Sequence, residues 1–527
     1  MRSKIFLLVF VAFIITSPVF AGETIVYPPA TLQTIDAFAG SLGPSSSDTG
    51  KSASLSGNSV SVESGTIPGA VYGAININDE SNVTNNSVLI KGNVSEDVYG
   101  SRGRGSVANN SVEISGGSVN MTVYGGYGVS ARSIDGNSVV INNGMISGSV
   151  YSGFGSWGSS TNNKVMMNDS TALGSVTGGW GIISDSDDLF GNSVTIINSR
   201  VNGGVTGGNL TRGSGIAYNN SVEIINSTVG GNVIGGIGNA NAATNNTIAI
   251  SDGSVGGLVI GGWSDGGTVT NNTVTITGSP TFGVNTVIRG SYINAGGGDG
   301  FTGNTFNLHG VVARVSGLRG FQFYNFYIPE SLTAPMITVA APEDITGINI
   351  DIAGIKVESE LRPGDSVTLI SFLSGTTGVP ATPLDTDIVT SSGRTFRFSL
   401  SSTALTATLI GAEPPVIHVT GVTVSPLTAT MDVGDTLLLS ATISPADATN
   451  KNVAWSSNNP AVAAVNALGV VTGASPGTAA ITVKTADGEF TASCNVTVEE
   501  RWGCNAVNYG YLAFVLAGAI AFVLKRK

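Results

Sequence analysis

Cysteine, histidine and charge are all scarce in this sequence, and each scarcity removes a class of function. Two cysteines, Cys494 and Cys504, occur among 527 residues, which excludes a disulfide-stapled scaffold and a cysteine-rich metal fold. The two histidines, His309 and His418, leave no basis for a histidine-centred catalytic or metal site. Lys plus Arg number 23 against 35 Asp plus Glu, a net charge of −12, and only 11% of residues are charged. So few cations exclude nucleic acid as a partner. The central region shows no helical hydrophobic period, and no phosphate loop, nucleophile elbow or metal-ligand pair occurs in the chain.

Glycine and apolar residues are abundant: 73 glycines and 41% hydrophobic residues supply core material and argue against a disordered polar chain. At the start, Arg2 and Lys4 precede an apolar run from Ile5 to Ile15 and small residues up to Ala21. That is the pattern of a secretory signal peptide processed at Ala21, with an apolar run too short to cross a bilayer. At the end, Arg501-Trp502-Gly503-Cys504-Asn505-Ala506 leads into an apolar stretch from Tyr509 to Leu524 and then Lys525-Arg526-Lys527, a short span with a basic stop. This tail resembles the Synergist-type C-terminal sorting signal of bacteria. The resemblance implies surface delivery, contact with the bacterial membrane and processing or modification at Cys504; a simple tail anchor is the alternative.

Between the ends the chain repeats. An Asn followed by Ser, Thr or Lys and then alternating apolar residues recurs at Asn58, Asn86, Asn110, Asn137, Asn163, Asn192, Asn220, Asn246, Asn272 and Asn304, a period of about 27 residues. A second landmark keeps the same period: Val71, Val98, Val123, Val150, Val176, Val205, Val233, Val259 and Val287. In one unit, Asn220, Val222 and Ile224 alternate with Ser221 and Glu223, and Val229 and Val233 continue the apolar set around Gly231. Such short strands cannot bury their apolar faces alone, so the units stack as coils of a parallel β-solenoid. The recurrent Asn, placed at one inward corner, can form an amide ladder from coil to coil; N-glycosylation is the rival reading of triplets such as Asn85-Asn86-Ser87. The Gly-Gly steps read as turn chemistry, since no helix follows them.

Two sets of aromatics stand out. Tyr72, Tyr99, Tyr124 and Tyr151 follow the landmark valines, ahead of Thr177, Thr206, Ile234, Ile260 and Ile288, and form either a stacked structural row or a platform for sugar rings. Tyr127, Phe154, Trp157, Trp180 and Trp263 are expected in variable loops, where recognition commonly resides, or as covers over the solenoid edge. Asp185, Asp187 and Asp188 share one loop and could hold a cation, although a solvated loop is the simpler reading; Arg102 and Arg104, in another, lack partner acids.

The repeat is expected to stop near Val311. The run Gly320-Phe321-Gln322-Phe323-Tyr324-Asn325-Phe326-Tyr327-Ile328-Pro329, continued by Leu361-Arg362-Pro363-Gly364-Asp365, resembles the end-of-passenger segment of autotransporter-type β-helical adhesins, although no terminal barrel follows. After Glu413-Pro414-Pro415, segments such as Val422-Thr423-Val424-Ser425-Pro426, Val453-Ala454-Trp455-Ser456 and Gly477-Thr478-Ala479-Ala480-Ile481-Thr482-Val483 closely resemble bacterial Ig-like domains of group 2. Their alternation between Pro, Gly and Asn turns independently predicts a β-sandwich with Trp455 in its core.

The expected fold class is all-β: a right-handed parallel β-solenoid of about ten coils followed by an Ig-like β-sandwich. Its parts are a signal peptide (1–21), a cap or linker (22–56), repeats (57–308), a closing segment (309–412), the Ig-like module (413–499) and a sorting or transmembrane segment (501–527). The expected protein is exported to the bacterial surface and binds an extracellular glycan or a host or neighbour-cell surface protein without catalysis, using no cofactor or metal. Alternatives are a carbohydrate-active β-helix enzyme and a purely structural envelope protein.

Overall fold

The computed structural model describes residues 24–27, 37–38, 55–76, 80–182, 188–295, 297–329, 332, 334–356, 361–410 and 417–500. The expected signal peptide with Ala21, most of the 22–56 linker, Asp185, Asp187, and the tail with Cys504 lie outside the described residues. The described residues contain strands and turns but no helix, hence none long and apolar enough to cross a membrane. Two units part between Ala412 and Glu413.

In the first unit a full coil carries four strands, as in Ser221–Ile225, Thr228–Val229, Val233–Gly238 and Ala243–Thr244. Corresponding strands of successive coils pair in parallel, building four sheets, here called 1 to 4, with 13, 9, 12 and 8 strands. Register is exact from coil to coil: Val222 lies beside Ile248 and Ile224 beside Ile250. Their side chains, with Val229 and Val233, are buried in one continuous Val/Ile core, while Glu223 is exposed, as period-two alternation requires. Coil length varies mainly between sheets 3 and 4, where Gly103 is followed closely by Ser106 but Gly181 only later by Leu189.

The ten landmark asparagines form a buried column along this core. Asn192 is typical: its Oδ1 accepts from the backbone N and Nδ2 of Asn163 at 3.1 and 3.0 Å. Its Nδ2 donates to Asn220 Oδ1 at 3.0 Å and to the Ser160 carbonyl at 2.8 Å. Every amide atom is used, as burial demands, and the pattern runs from Asn58 to Asn304. At the first rung, Asn58 Oδ1 has no partner among the described residues. The residue before each rung is always Gly or Asn with positive φ, from Gly57 (76°) and Asn85 (56°) to Asn271 (57°) and Gly303 (72°). Only these side chains enter that backbone region cheaply.

The amides also restrict the position opposite to small residues, glycine in six coils and Ala74, Ser101 or Ser291 in three others. A Cβ on Gly179 would sit 2.5 Å from Asn192 Cγ, and one on Gly153 2.5 Å from Asn163 Cγ. The Gly-Gly steps at 125–126, 178–179, 207–208, 235–236 and 261–262 lie inside sheet 3 strands such as Val176–Gly181 and leave room for the column, whereas those at 116–117, 203–204, 230–231 and 256–257 lie in turns, as the sequence reading has it.

Parallel stacking does not stop near Val311. Phe323–Ile328 and Asn349–Ile355 extend sheet 1, with Phe321, Tyr324 and Phe326 buried in the interior. The aromatic run thus fills a further coil. Stacking changes to antiparallel where Ser366–Phe372 meets Ala404–Leu409, which in turn pairs with Thr395–Leu400. The buried rings of Phe396 and Phe398 lie there, so the terminal edge is covered by a hairpin, as an open parallel edge requires.

The second unit is a sandwich of short strands, in which Gly477–Thr485 pairs with both Val453–Ser457 and Thr491–Glu499. Ile481, Val483, Cys494, Val496 and Val471 form its core. Trp455 packs against this core but is only half-buried, with Gly469 (φ 80°) seated under its ring. Burial pushes the Cys494 thiol pKa up.

A direct test of the amide column is Asn192→Ala, which strands several buried polar groups at about 1–3 kcal/mol each. Gly179→Ala drives a methyl into the same amide and costs about 1–3 kcal/mol. Because each change touches the other's partner, the double variant should lose clearly less than the sum; denaturant unfolding of the three variants measures it, and strict additivity would contradict the contact.

Candidate binding face

The outward side of sheet 3 is built by the same glycines. In Val123–Gly128, Val123 and Gly128 point inward, and Gly126 backs onto Asn137. Strand parity shifts at Gly125–Gly126, so Tyr124 and Tyr127, three residues apart, both face outward with ring centroids 5.0 Å apart in a T-shaped contact. Repeated over coils, this makes two adjacent aromatic rows.

The first row holds Tyr72, Tyr99, Tyr124 and Tyr151. Tyr99 stacks on Tyr72 at 4.7 Å and 3° and on Tyr124 at 4.8 Å and 7°; Tyr124 stacks on Tyr151 at 5.6 Å and 15°. The second row holds Tyr127, Phe154 and Trp180, stacked at 5.1 and 5.8 Å. Rings stacked along the coil axis cover one another's faces, so the inner members offer edges outward. Tyr99, whose hydroxyl donates to Asp97 Oδ2 at 2.9 Å, is only 7% exposed. Arg102 extends the second row, its guanidinium 5.2 Å from the Tyr127 ring.

Both rows end at one step. Beyond Tyr151 lies Thr177, and beyond Trp180 lies Asn209, so among the described residues no ring continues the stack on the far side of the indole. Trp180 Nε1 is buried and has no hydrogen-bond partner among the described residues. Trp157 stands in the turn after Val150–Gly155 and is 50% exposed.

Several expectations change. Tyr127, Phe154, Trp180 and Trp263 sit in strands of sheet 3, not in loops; Trp157 alone of that set is in a turn. Their constant offset of four residues from the landmark valines was the available signal. Arg102 likewise belongs to a strand, Val98–Gly103. The last landmark is one residue out: Val259 pairs with Ile288, and Ile260 with Arg289, because Ile288 is the buried residue there. Asp188 is occupied structurally, its Oδ1 accepting from Ile216 N at 3.0 Å.

His309 rides on the outer face of sheet 1, its ring stacked on Tyr327 at 3.6 Å and 13°. The two border a cleft of about 430 Å3 shared with Ser279, Ile328, Gly354 and Lys356. Burial holds the His309 pKa below its ordinary value. No carboxylate lines the cleft among the described residues. His418, in the second unit, contacts Asp487 at 3.1 Å.

The sandwich of the second unit has known relatives. Residues 418–496 match the bacterial Ig-like domain (group 2) family. The second unit is therefore a module of that family. The group 2 module is similar to part of an Ig-like virion protein of Serratia phage KSP90, 57% identical over 84 residues, which is 16% of this chain and 33% of that protein. An alpha-L-arabinofuranosidase of Bifidobacterium longum subsp. longum is 42% identical over 93 residues, 18% of this chain and 9% of the enzyme, within the Ig-like region. An uncharacterized protein of Bacillus cereus is 36% identical over 93 residues, 17% of this chain and 70% of that one. The chain thus spans a third or less of the first two relatives.

The aromatic rows predict alkaline behaviour. Burial, with Asp97 adding to it at the first two, raises the phenol pKa of Tyr99, Tyr124 and Tyr151. The folded state holds these protons more tightly than the unfolded one, so their stabilisation is complete below about pH 10 and is lost as the pH climbs further. Phenolate absorbance should show a subset of the 12 tyrosines ionising only as β-sheet circular dichroism disappears; ordinary titration of all 12 in the folded protein would contradict the burial.

Proposed function

We propose that this protein is a non-catalytic, surface-displayed binding protein whose solenoid contacts an extracellular glycan through the outer face of sheet 3, with the Ig-like module as a spacer. The observation that carries the reading is the step at Trp180, where the aromatic rows end and an indole face looks across Asn209 and Thr206. An apolar ring face beside amide and hydroxyl groups suits a sugar, whose C–H faces stack on rings while its hydroxyls hydrogen-bond. Trp157, in the turn after Val150–Gly155, adds an exposed ring one coil away. The likeness of the module to a virion protein supports a surface or structural role, and the sequence patterns of both termini support export. A rigid stack of coils lets weak contacts add along one polymer.

The His309 cleft is the one feature that favours a carbohydrate-active enzyme, and a glycosidase needs a pair of carboxylates that its described lining lacks. The arabinofuranosidase similarity falls in the Ig-like region and supports no activity here.

Purified residues 22–500 on a glycan array, with products analysed by mass spectrometry, test the proposal. Binding of intact glycans that falls about tenfold in Trp180→Ala is the expected result. Shortened glycans would replace the proposal with the enzyme reading; binding to surface proteins alone would move it to a protein ligand; no binding in either assay would leave only a structural role.

A further inference from the structure

Past Trp180 the same outward rows continue through Thr206, Ile234 and Ile260 in one, and through Asn209, Ile237 and Trp263 in the other. They end in different chemistry. Ile260 is followed by Arg289 and then Arg319 in direct register, and Trp263 by Tyr292. Like charges directly opposed on neighbouring strands repel. Among the described residues of the solenoid no other two like charges share a register pair, so this pair is an exception in a chain of net charge −12.

One carboxylate offsets it. Glu343, its side chain 3% exposed, accepts from Arg319 Nε through both oxygens at 3.3 Å. Two guanidiniums against one carboxylate leave one positive charge. Arg289 Nε is buried without a hydrogen-bond partner among the described residues, a state that costs free energy until an acceptor arrives. Arg289 instead lies over the Tyr292 ring at 5.2 Å, and burial, then the nearby Arg319, disfavour its charge. The Arg319 side chain is 42% exposed, so the pair is open to solvent on one side. Trp263 and Tyr292 meet at 4.6 Å but are tilted by 56°, so they do not seal each other's faces as the tyrosine row does.

We propose that Arg289 and Arg319 form an anion subsite that takes the carboxylate or sulfate of an acidic saccharide, with Trp263 and Tyr292 flanking the sugar. Guanidinium forks match both groups in geometry. Three strand steps separate Trp180 from Trp263, about 14 Å at the spacing of paired strands, so one oligosaccharide lying along the coils reaches both. The inference rests on the glycan-binding reading above and adds to it the charge of the glycan.

The test is calorimetric titration of residues 22–500 with polygalacturonate, dextran sulfate and neutral dextran. The expected result is preference for one or both acidic polymers, weakened by added salt and about tenfold weaker in Arg289→Gln and Arg319→Gln. Glu343→Gln, which removes the internal competitor, should strengthen acidic binding, giving a readout that misfolding cannot imitate. Preference for polygalacturonate assigns the carboxylate, preference for dextran sulfate the sulfate. Acidic binding unchanged in both arginine variants overturns the subsite. Neutral glycan binding that depends on Trp180 without any acidic preference overturns this inference alone, whereas no glycan binding at all overturns both.

Discussion

The buried column of asparagine amides is the interaction on which the rest of the solenoid depends. Each interior amide, as at Asn192, joins three coils, accepting twice from the one before, donating once to the one after, and donating once to a sheet 4 carbonyl. An unpaired amide in this apolar interior would be costly, so all coils must hold the same register at this corner. That constraint propagates. The amide crowds the side chain opposite, so that place in sheet 3 holds glycine in six coils and only the small Ala74, Ser101 and Ser291 in three others. The glycine pair shifts strand parity, which turns residues three apart toward solvent. The two aromatic rows are the outward consequence of an inward hydrogen bond.

The outer surface repeats the same logic with weaker partners. Asn168 donates to Asn142 at 2.9 Å at the half-buried ends of sheet 1 strands, Asn226 to Asn198 at 3.0 Å on exposed turns, and hydroxyl pairs such as Ser106 with Ser133 meet at 2.8 Å. Stacks of like neutral residues avoid the repulsion that stacked charges would bring, which accounts for a chain with so few ionised groups. Against this neutral background the Arg289–Arg319 pair and the indole of Trp180 are exceptions to local packing rules, and such exceptions are where function concentrates.

The period of the asparagines made the solenoid, its core alternation and the inward corner legible from sequence, because each rung needs the same residue at the same place. The Ig-like module was legible from its turns and strand motifs. What escaped has physical causes. Period-two reasoning assumes an unbroken strand, so the parity shift at Gly125–Gly126 hid the second aromatic row and sent Tyr127, Phe154, Trp180 and Trp263 to loops. A one-residue displacement put Val287 where Ile288 belongs and kept Arg289 out of view. The continuation past residue 311 was invisible because Phe321 and its neighbours fill the interior where the asparagine signature ends. The positive-φ Gly or Asn before every rung was present throughout and would have sharpened each boundary.

The most direct test of this account removes one repeat. Asn192 and Asn220 are 28 residues apart and occupy equivalent rungs, so deleting residues 193–220 joins Asn192 to Ser221 with the amide column and all four sheets still in register. Circular dichroism followed through thermal unfolding should show a folded β-protein with a transition close to that of the parent, whereas deletion of residues 193–206, half a coil, should abolish it. Equal tolerance of both deletions, or loss of folding in the whole-coil deletion, would contradict the claim that the amide column sets the fold.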